Sequence, residues 1–161
     1  MSDENVNAPQ GAGGDAGDKP GAITAFGVLH IVFGAISIIG AIVGLAGSVA
    51  GGAVMGAMGA SAGGAFAVGI IFSILGLIIA VILLVAGIMV LGGKPAGLSL
   101  SLVYVIASIA VRVINIIISA IVFGGGMAWT FTIIGIAYPL VVLFAFYMND
   151  NVKAYLGKSA A

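Results

Sequence analysis

Residues 98–122 read LSLSLVYVIASIAVRVINIIISAIV, an apolar segment that carries a line of polar side chains along its whole length. At about 100° per residue of an α-helix, these side chains fall within an arc of roughly 80°. They extend over about 27 Å, close to the roughly 30 Å hydrocarbon thickness of a bilayer. The members of this polar stripe are Ser101, Tyr104, Ser108, Arg112, Asn115 and Ser119. Such a stripe needs a neighbouring helix, water or another subunit, because acyl chains cannot satisfy it.

The composition indicates an integral membrane protein. Hydrophobic residues make up 62% of the 161 residues and charged residues 6%, whereas soluble domains have about a quarter of their residues charged. The chain has no cysteine, which excludes disulfides, thiolate metal sites and iron–sulfur ligation. Its few basic residues are balanced by acidic ones, so no nucleic-acid partner is expected.

Four apolar spans are predicted, at about 22–49, 65–91, 98–122 and 129–148, forming one transmembrane domain over 21–148. Residues 1–20 are polar, acidic and glycine-rich, which predicts a disordered tail that is not cleaved as a signal peptide. Residues 149–161 predict a short cytoplasmic tail, amphipathic or frayed. The expected fold class is therefore an all-α membrane protein, an antiparallel up-down bundle of four helices.

Small and polar residues recur on the first two spans at steps of three and four, which is typical of closely packed membrane helices. Matching seams of this kind predict that these two helices form an intimate antiparallel pair. The first seam comprises His30, Gly34, Ser37, Ala41, Gly44 and Ser48. The second comprises Gly69, Ser73, Gly76, Ala80 and Gly87.

The connections between the spans differ in how clearly they are marked. The sequence GGKPAG at 92–97 predicts a turn from its Gly and Pro content, and FGGGMA at 123–128 predicts a tight uncharged turn. Residues 49–64 are low in complexity; a flexible or partly helical connection is favoured over an apolar interfacial hairpin. With four spans, Lys19, Lys94, Lys153 and Lys158 lie on one side, and the positive-inside rule makes that side cytoplasmic.

Arg112 is the residue at membrane depth that most demands a partner. The sequence has no Asp or Glu between Lys19 and Asp150, so no carboxylate of the spans can pair with it. Pro139 frees a carbonyl near Gly135, which could accept from the guanidinium. Asn115, Tyr104, Tyr138, a lipid phosphate and a bound anion are the other candidates. Hydrogen bonding within the bundle or at the outer interface is favoured over anion binding or conduction. The stripe serines suit either a helix interface or a pore.

The other chemistry-bearing residues point away from catalysis. His30 is the only histidine, so a bis-histidine haem or a multi-histidine metal site within one chain is excluded, and a packed, hydrogen-bonded histidine is favoured over a proton relay. No nucleophile elbow, P-loop, HExxH motif or pair of carboxylates is present. We therefore expect no catalytic residues, no metal and no cofactor.

Two stretches, 27–34 and 137–156, carry a resemblance to known proteins. The sequence GVLHIVFG at 27–34, together with AYPLVVL at 137–143 and NVKAYL at 151–156, resembles small bacterial four-helix membrane proteins of uncharacterised function. The resemblance covers two of the four spans and implies a multi-pass protein of the bacterial cytoplasmic membrane, with no activity attached. Arg112, Asn115 and Phe123 are also similar in type to the membrane arginine, asparagine and phenylalanine of small fluoride channels, although the glycine-rich arginine signature of their first helix is missing.

Two functions follow as expectations. The leading one is a non-enzymatic membrane protein that packs in the lipid bilayer with itself, as a homo-oligomer, or with other membrane proteins. The alternative is a small oligomeric channel or transporter whose anion path is lined by Arg112 and Asn115.

Overall fold

A computed structural model describes residues 19–59, 63–123 and 128–158; within these ranges the side chains of residues 63, 119, 122–123, 128–134 and 156–158 are not described. The predicted N-terminal tail lies, except for its last two residues, outside the described part, as does the turn at 124–127. The described residues are all-helical. The helices are α1 (Gly21–Ala57), α2 (Gly63–Leu91), α3 (Ala96–Phe123), α4 (Ala128–Tyr147) and α5 (Asp150–Lys158).

Three of these helices are long and apolar enough to cross a membrane: α1, α2 from Gly64 onward, and α3 as far as Ile118. Within α4, the part with described side chains contributes a shorter apolar helix, Gly135–Tyr147. The length and composition of these segments are those of a helical membrane protein.

The four long helices alternate in direction. Along α1 and α2, close contacts run from Gly27 against Leu91 at one end to Gly52 against Phe66 at the other, so the two helices are antiparallel over most of their length. α3 turns back on α2, and its Gly97 lies against the backbone of Val90. Successive helices among α1, α2 and α3 are therefore antiparallel neighbours.

α1 continues beyond the predicted first span into the connection that the sequence predicted to be flexible or partly helical. It continues to Ala57, whereas the span was expected to end near residue 49. The extension consists largely of glycine and alanine, and Phe66 packs over Gly51 and Gly52. A Cβ at Gly51 would lie 2.7 Å from the ring of Phe66, and one at Gly52 would lie 3.2 Å from its Cβ atom. Gly51 and Gly52 therefore allow close contact between α1 and α2. The helix ends before Gly59, whose φ of 71° suits glycine.

The connection between α2 and α3 is the turn that the sequence predicted. The N–H of Lys94 donates to the carbonyl of Met89 at 2.9 Å and that of Gly93 to Val90 at 3.0 Å, which is the Schellman pattern. Gly93 takes the left-handed conformation that this pattern requires, with φ 68°.

The core lies at the end of the bundle that carries the start of α1, the helix α5 and this turn. Its fully buried apolar residues come from all five helices and include Ile23, Leu83, Val90, Val105, Val142, Phe146 and Val152. Val152 belongs to α5, so this helix packs on the bundle; of the two predicted forms of the tail, amphipathic or frayed, residues 150–158 are helical. Asn149 begins α5 by accepting from the N–H of Asn151 at 3.1 Å, an N-cap interaction.

Candidate functional site

His30 is the buried junction of three helices. Its side chain is completely buried, and its two ring nitrogens face different neighbours. Nδ1 lies 2.9 Å from the hydroxyl of Tyr138 on α4, and Nε2 lies 3.3 Å from the hydroxyl of Ser101 on α3. One imidazole thus joins α1 to both of the later helices.

The direction of these hydrogen bonds follows from Ser101. A serine hydroxyl has one proton, and Ser101 donates it to the carbonyl of Gly97 at 2.8 Å. Its oxygen must therefore accept from the Nε2–H of His30, which leaves Nδ1 to accept from the Tyr138 hydroxyl. Every ring nitrogen of a neutral imidazole is then satisfied, as a buried polar group requires.

Aromatic rings enclose this junction. The rings of Tyr104, Tyr138 and Phe146 have their centroids 6.3, 5.8 and 5.6 Å from that of His30. Phe26, one turn before His30, meets Phe146 edge to face at 5.5 Å. The structure therefore places His30 in the packed, hydrogen-bonded arrangement that the sequence favoured.

The polar stripe of α3 divides into two halves. Ser101, Tyr104 and Ser108 are buried, whereas Arg112 and Asn115 are half-buried. The side chain of Ser119 lies outside the described part. Ser108 donates to the carbonyl of Val105 in its own helix at 3.0 Å, so the backbone of α3 already takes its proton. The half-buried end of the stripe is where the cationic group lies.

Arg112 reaches across to α4 at Gly135. A Cβ atom at this glycine would overlap with the guanidinium group, so the absence of a side chain is what allows the contact. Pro139 lies four residues later and cannot donate to the Gly135 carbonyl. The sequence offered this carbonyl as one of several candidate partners for the guanidinium. It also offered Tyr138 as a partner for Arg112, but the structure places that hydroxyl on His30.

A cavity of about 450 Å³ opens beside the same arginine, between α1, α2 and α3. Its wall combines the half-buried end of the polar stripe with hydroxyls and apolar side chains of the first two helices. The residues that line it are Ser37, Ala41, Phe72, Ser73, Gly76, Ile79, Ala80, Leu83, Tyr104, Ser108, Val111, Arg112 and Asn115. The cavity is the main feature that spacing along single helices could not reveal.

The two small-residue seams face each other on both sides of this cavity. Toward the termini, a Cβ at Gly34 would lie 2.9 Å from the backbone nitrogen of Leu84, and one at Gly87 would lie 2.8 Å from the Cβ of His30. Toward the other end, Gly69 lies against the hydroxyl of Ser48, which itself donates to the carbonyl of Gly44 at 2.9 Å.

The middle of the seams departs from this close packing. A Cβ at Gly76 would meet no atom within 4 Å, and the structure places this glycine on the cavity wall together with Ser37, Ala41 and Ala80. Gly44 makes a looser contact, with 3.3 Å from a Cβ there to the hydroxyl of Ser73. The predicted contact of the two helices at Gly76 is therefore replaced by open space. The predicted seams did not include Gly135, Gly27 or Gly97, although all three lie against a neighbouring helix.

Among residues 19–59, 63–123 and 128–158, no group of three or more His, Cys, Asp or Glu side chains could hold a metal ion. Comparison with known proteins found no matching family model, no matching curated protein and no matching solved structure. The arrangement itself defines the class: a helical bundle of membrane-spanning type with an arginine-bearing cavity.

Proposed function

We propose that this chain is a non-enzymatic, multi-pass membrane protein that assembles laterally with a second copy of itself or with another membrane protein. Both termini would lie in the cytoplasm, and the bacterial cytoplasmic membrane is the proposed location. The observation that carries the proposal is the uneven burial of residues along α1.

The buried residues of α1 all lie in its first part: Ile23, Gly27, His30 and Gly34. The whole helix has 37 residues and is about 55 Å long, yet none of its residues 35–57 is buried. This second half packs on α2 but presents its other faces outward. A helix with this exposure has room for a further helix beside it.

The outward surface of this half includes two glycines at which a neighbour could approach closely. A Cβ at Gly40 or at Gly47 would meet no atom within 4 Å, and the two glycines lie two turns apart on nearly the same face. Small residues at such positions allow backbone contact between membrane helices, where packing drives association. We name this surface, Gly40 with Gly47, the α1 outer face.

Disulfide crosslinking tests the assembly, because the native chain has no cysteine. Gly40→Cys and Gly47→Cys should each crosslink on oxidation in native membranes, to a dimer or, where another protein presents a thiol at the contact, to a heavier product. Ile71→Cys, at an exposed position of α2, is the matched control and should crosslink far less. Equal crosslinking at all three positions would show random collision and overturn the proposal.

The second candidate is an anion path, and the observation in its favour is that Arg112 and Asn115 line the same cavity. Under this alternative, protein reconstituted in liposomes should carry an anion flux that Arg112→Leu abolishes and Lys153→Gln leaves intact. If the protein assembles but does not conduct, the wild-type protein should give no anion flux.

A further inference from the structure

The cavity beside Arg112 has a cationic end and an apolar wall. Arg112, Asn115 and Ser108 supply the polar groups on α3. Phe72, Ile79 and Leu83 of α2 supply the apolar ones. We propose that this cavity binds an amphiphile with a single oxyanion head group, the head at Arg112 and the apolar body against α2.

The charge balance of the spans supports an anionic head group. Arg112 carries a cationic guanidinium, and the sequence has no Asp or Glu between residues 19 and 150 to neutralise it at membrane depth. A carboxylate or phosphate group can accept two parallel hydrogen bonds from a guanidinium, which offsets much of the desolvation of both groups. An anion from outside the chain therefore completes this site.

The position of the arginine also suits an external ligand. Arg112 and Ser37 each lie about 24 Å along their helices from the end that carries the termini, so both border the cavity at one level. Contact with Gly135 braces the guanidinium against α4. Arg112 and Asn115 remain only half-buried, so a ligand can reach them from outside the bundle.

The rest of the wall favours an amphiphile over a small inorganic ion. The cavity follows α3 from Asn115 to Tyr104, about 16 Å, and its volume of about 450 Å³ falls within the roughly 300–1,000 Å³ of small-molecule sites. A chloride or acetate ion would leave the apolar part of this space unfilled. A chain of medium length, such as that of dodecanoate, would occupy it and remove apolar surface from water.

Binding of radiolabelled dodecanoate to the full chain in phosphatidylcholine nanodiscs tests the proposal. We expect saturable binding, with competition by dodecanoate at least about tenfold stronger than by dodecanol, which has the same chain without the charge. Arg112→Gln should weaken binding by a similar factor, and Lys153→Gln, a cation outside the cavity, should not. Competition by phosphatidylglycerol would identify a lipid head group as the source of the oxyanion.

A second variant keeps the test decisive if Arg112→Gln fails to fold. Gly76→Leu places a side chain in open space on the cavity wall, so it should fold and abolish binding. Gly40→Leu, on the α1 outer face, should leave binding intact even where it prevents assembly. Equal affinities for dodecanoate and dodecanol, unchanged binding by Gly76→Leu, or equally strong competition by acetate or chloride would each overturn the proposal.

Discussion

The guanidinium of Arg112 on α3 lies directly against the backbone of Gly135 on α4, in space that any side chain at position 135 would fill. This contact joins the only cation within the four long helices to the turn of α4 that Pro139 deprives of a backbone hydrogen bond. The contact depends on both residues, so their substitutions should not act independently.

We expect Gly135→Ala to lower the free energy of unfolding by about 1–2 kcal/mol, because the new Cβ must push the guanidinium away from α4. The same substitution in an Arg112→Ala background should have much less effect, since the colliding group is gone. Unfolding of the four proteins in mixed micelles measures this coupling. Additive effects within about 0.3 kcal/mol would show that the two residues do not interact.

A contrasting pair of glycines tests the contact between α1 and α2. A Cβ at Gly34 would lie 2.9 Å from the backbone nitrogen of Leu84 and 3.0 Å from its Cα, so Gly34→Ala must separate two backbones. We expect a loss of about 1–3 kcal/mol in the free energy of unfolding. Gly76→Ala meets no atom within 4 Å and should be neutral, or stabilising by up to about 1 kcal/mol through helix propensity.

The thermal unfolding midpoints of these two variants in one detergent provide the comparison. Equal losses at both positions would mean that α1 and α2 are also in close contact at Gly76, and the cavity beside that residue would then be closed.

These glycines also show how far the sequence could predict the fold. Steps of three and four placed Gly34, Gly44 and Gly76 on faces turned toward another helix, because helical period depends only on position along the chain. The distance between two helices depends on how both curve and on the side chains around them. The open space at Gly76 therefore had no signal in either seam.

The sequence also could not predict which side chains of different helices would pair. The sequence offered Tyr138 to Arg112, whereas its hydroxyl lies on His30. The outcome depends on the axial offset of α4, which no local pattern encodes. The length of α1 was underestimated for a related reason. A glycine-rich stretch predicts a connection when considered alone, but Gly51 and Gly52 continue the helix where Phe66 of α2 packs on them.

The hydrogen-bonded junction at His30 leads to a further prediction. Tyr138→Phe removes the hydroxyl that donates to the Nδ1 atom of this fully buried ring. Leaving a buried acceptor unsatisfied should lower the free energy of unfolding by about 1–3 kcal/mol. Tyr147→Phe, near the end of the same helix, should change it by less than about 0.5 kcal/mol.

The coupling between Tyr138 and His30 provides the check. In a His30→Leu background the nitrogen acceptor is absent, so Tyr138→Phe should become nearly neutral. If Tyr138→Phe costs the same in both backgrounds, the tyrosine stabilises the protein through its ring packing, against Phe33 at 4.5 Å for example, and not through the hydroxyl.

The orientation of the helices in the membrane can be tested with single cysteines, because the chain has none of its own. Met58, just beyond α1, is 75% exposed, and Lys94 lies in the exposed turn between α2 and α3. These positions are at opposite ends of α2, which is about 43 Å long and apolar enough to cross the bilayer.

In intact cells, an impermeant maleimide should label Met58→Cys and leave Lys94→Cys unlabelled until the membrane is opened, because the positive-inside rule places the lysines in the cytoplasm. Lys153→Cys, on α5, should behave like Lys94→Cys. Labelling of Met58→Cys and Lys94→Cys from the same side would mean that α2 does not cross the membrane, and the proposed arrangement of four spans would have to be abandoned.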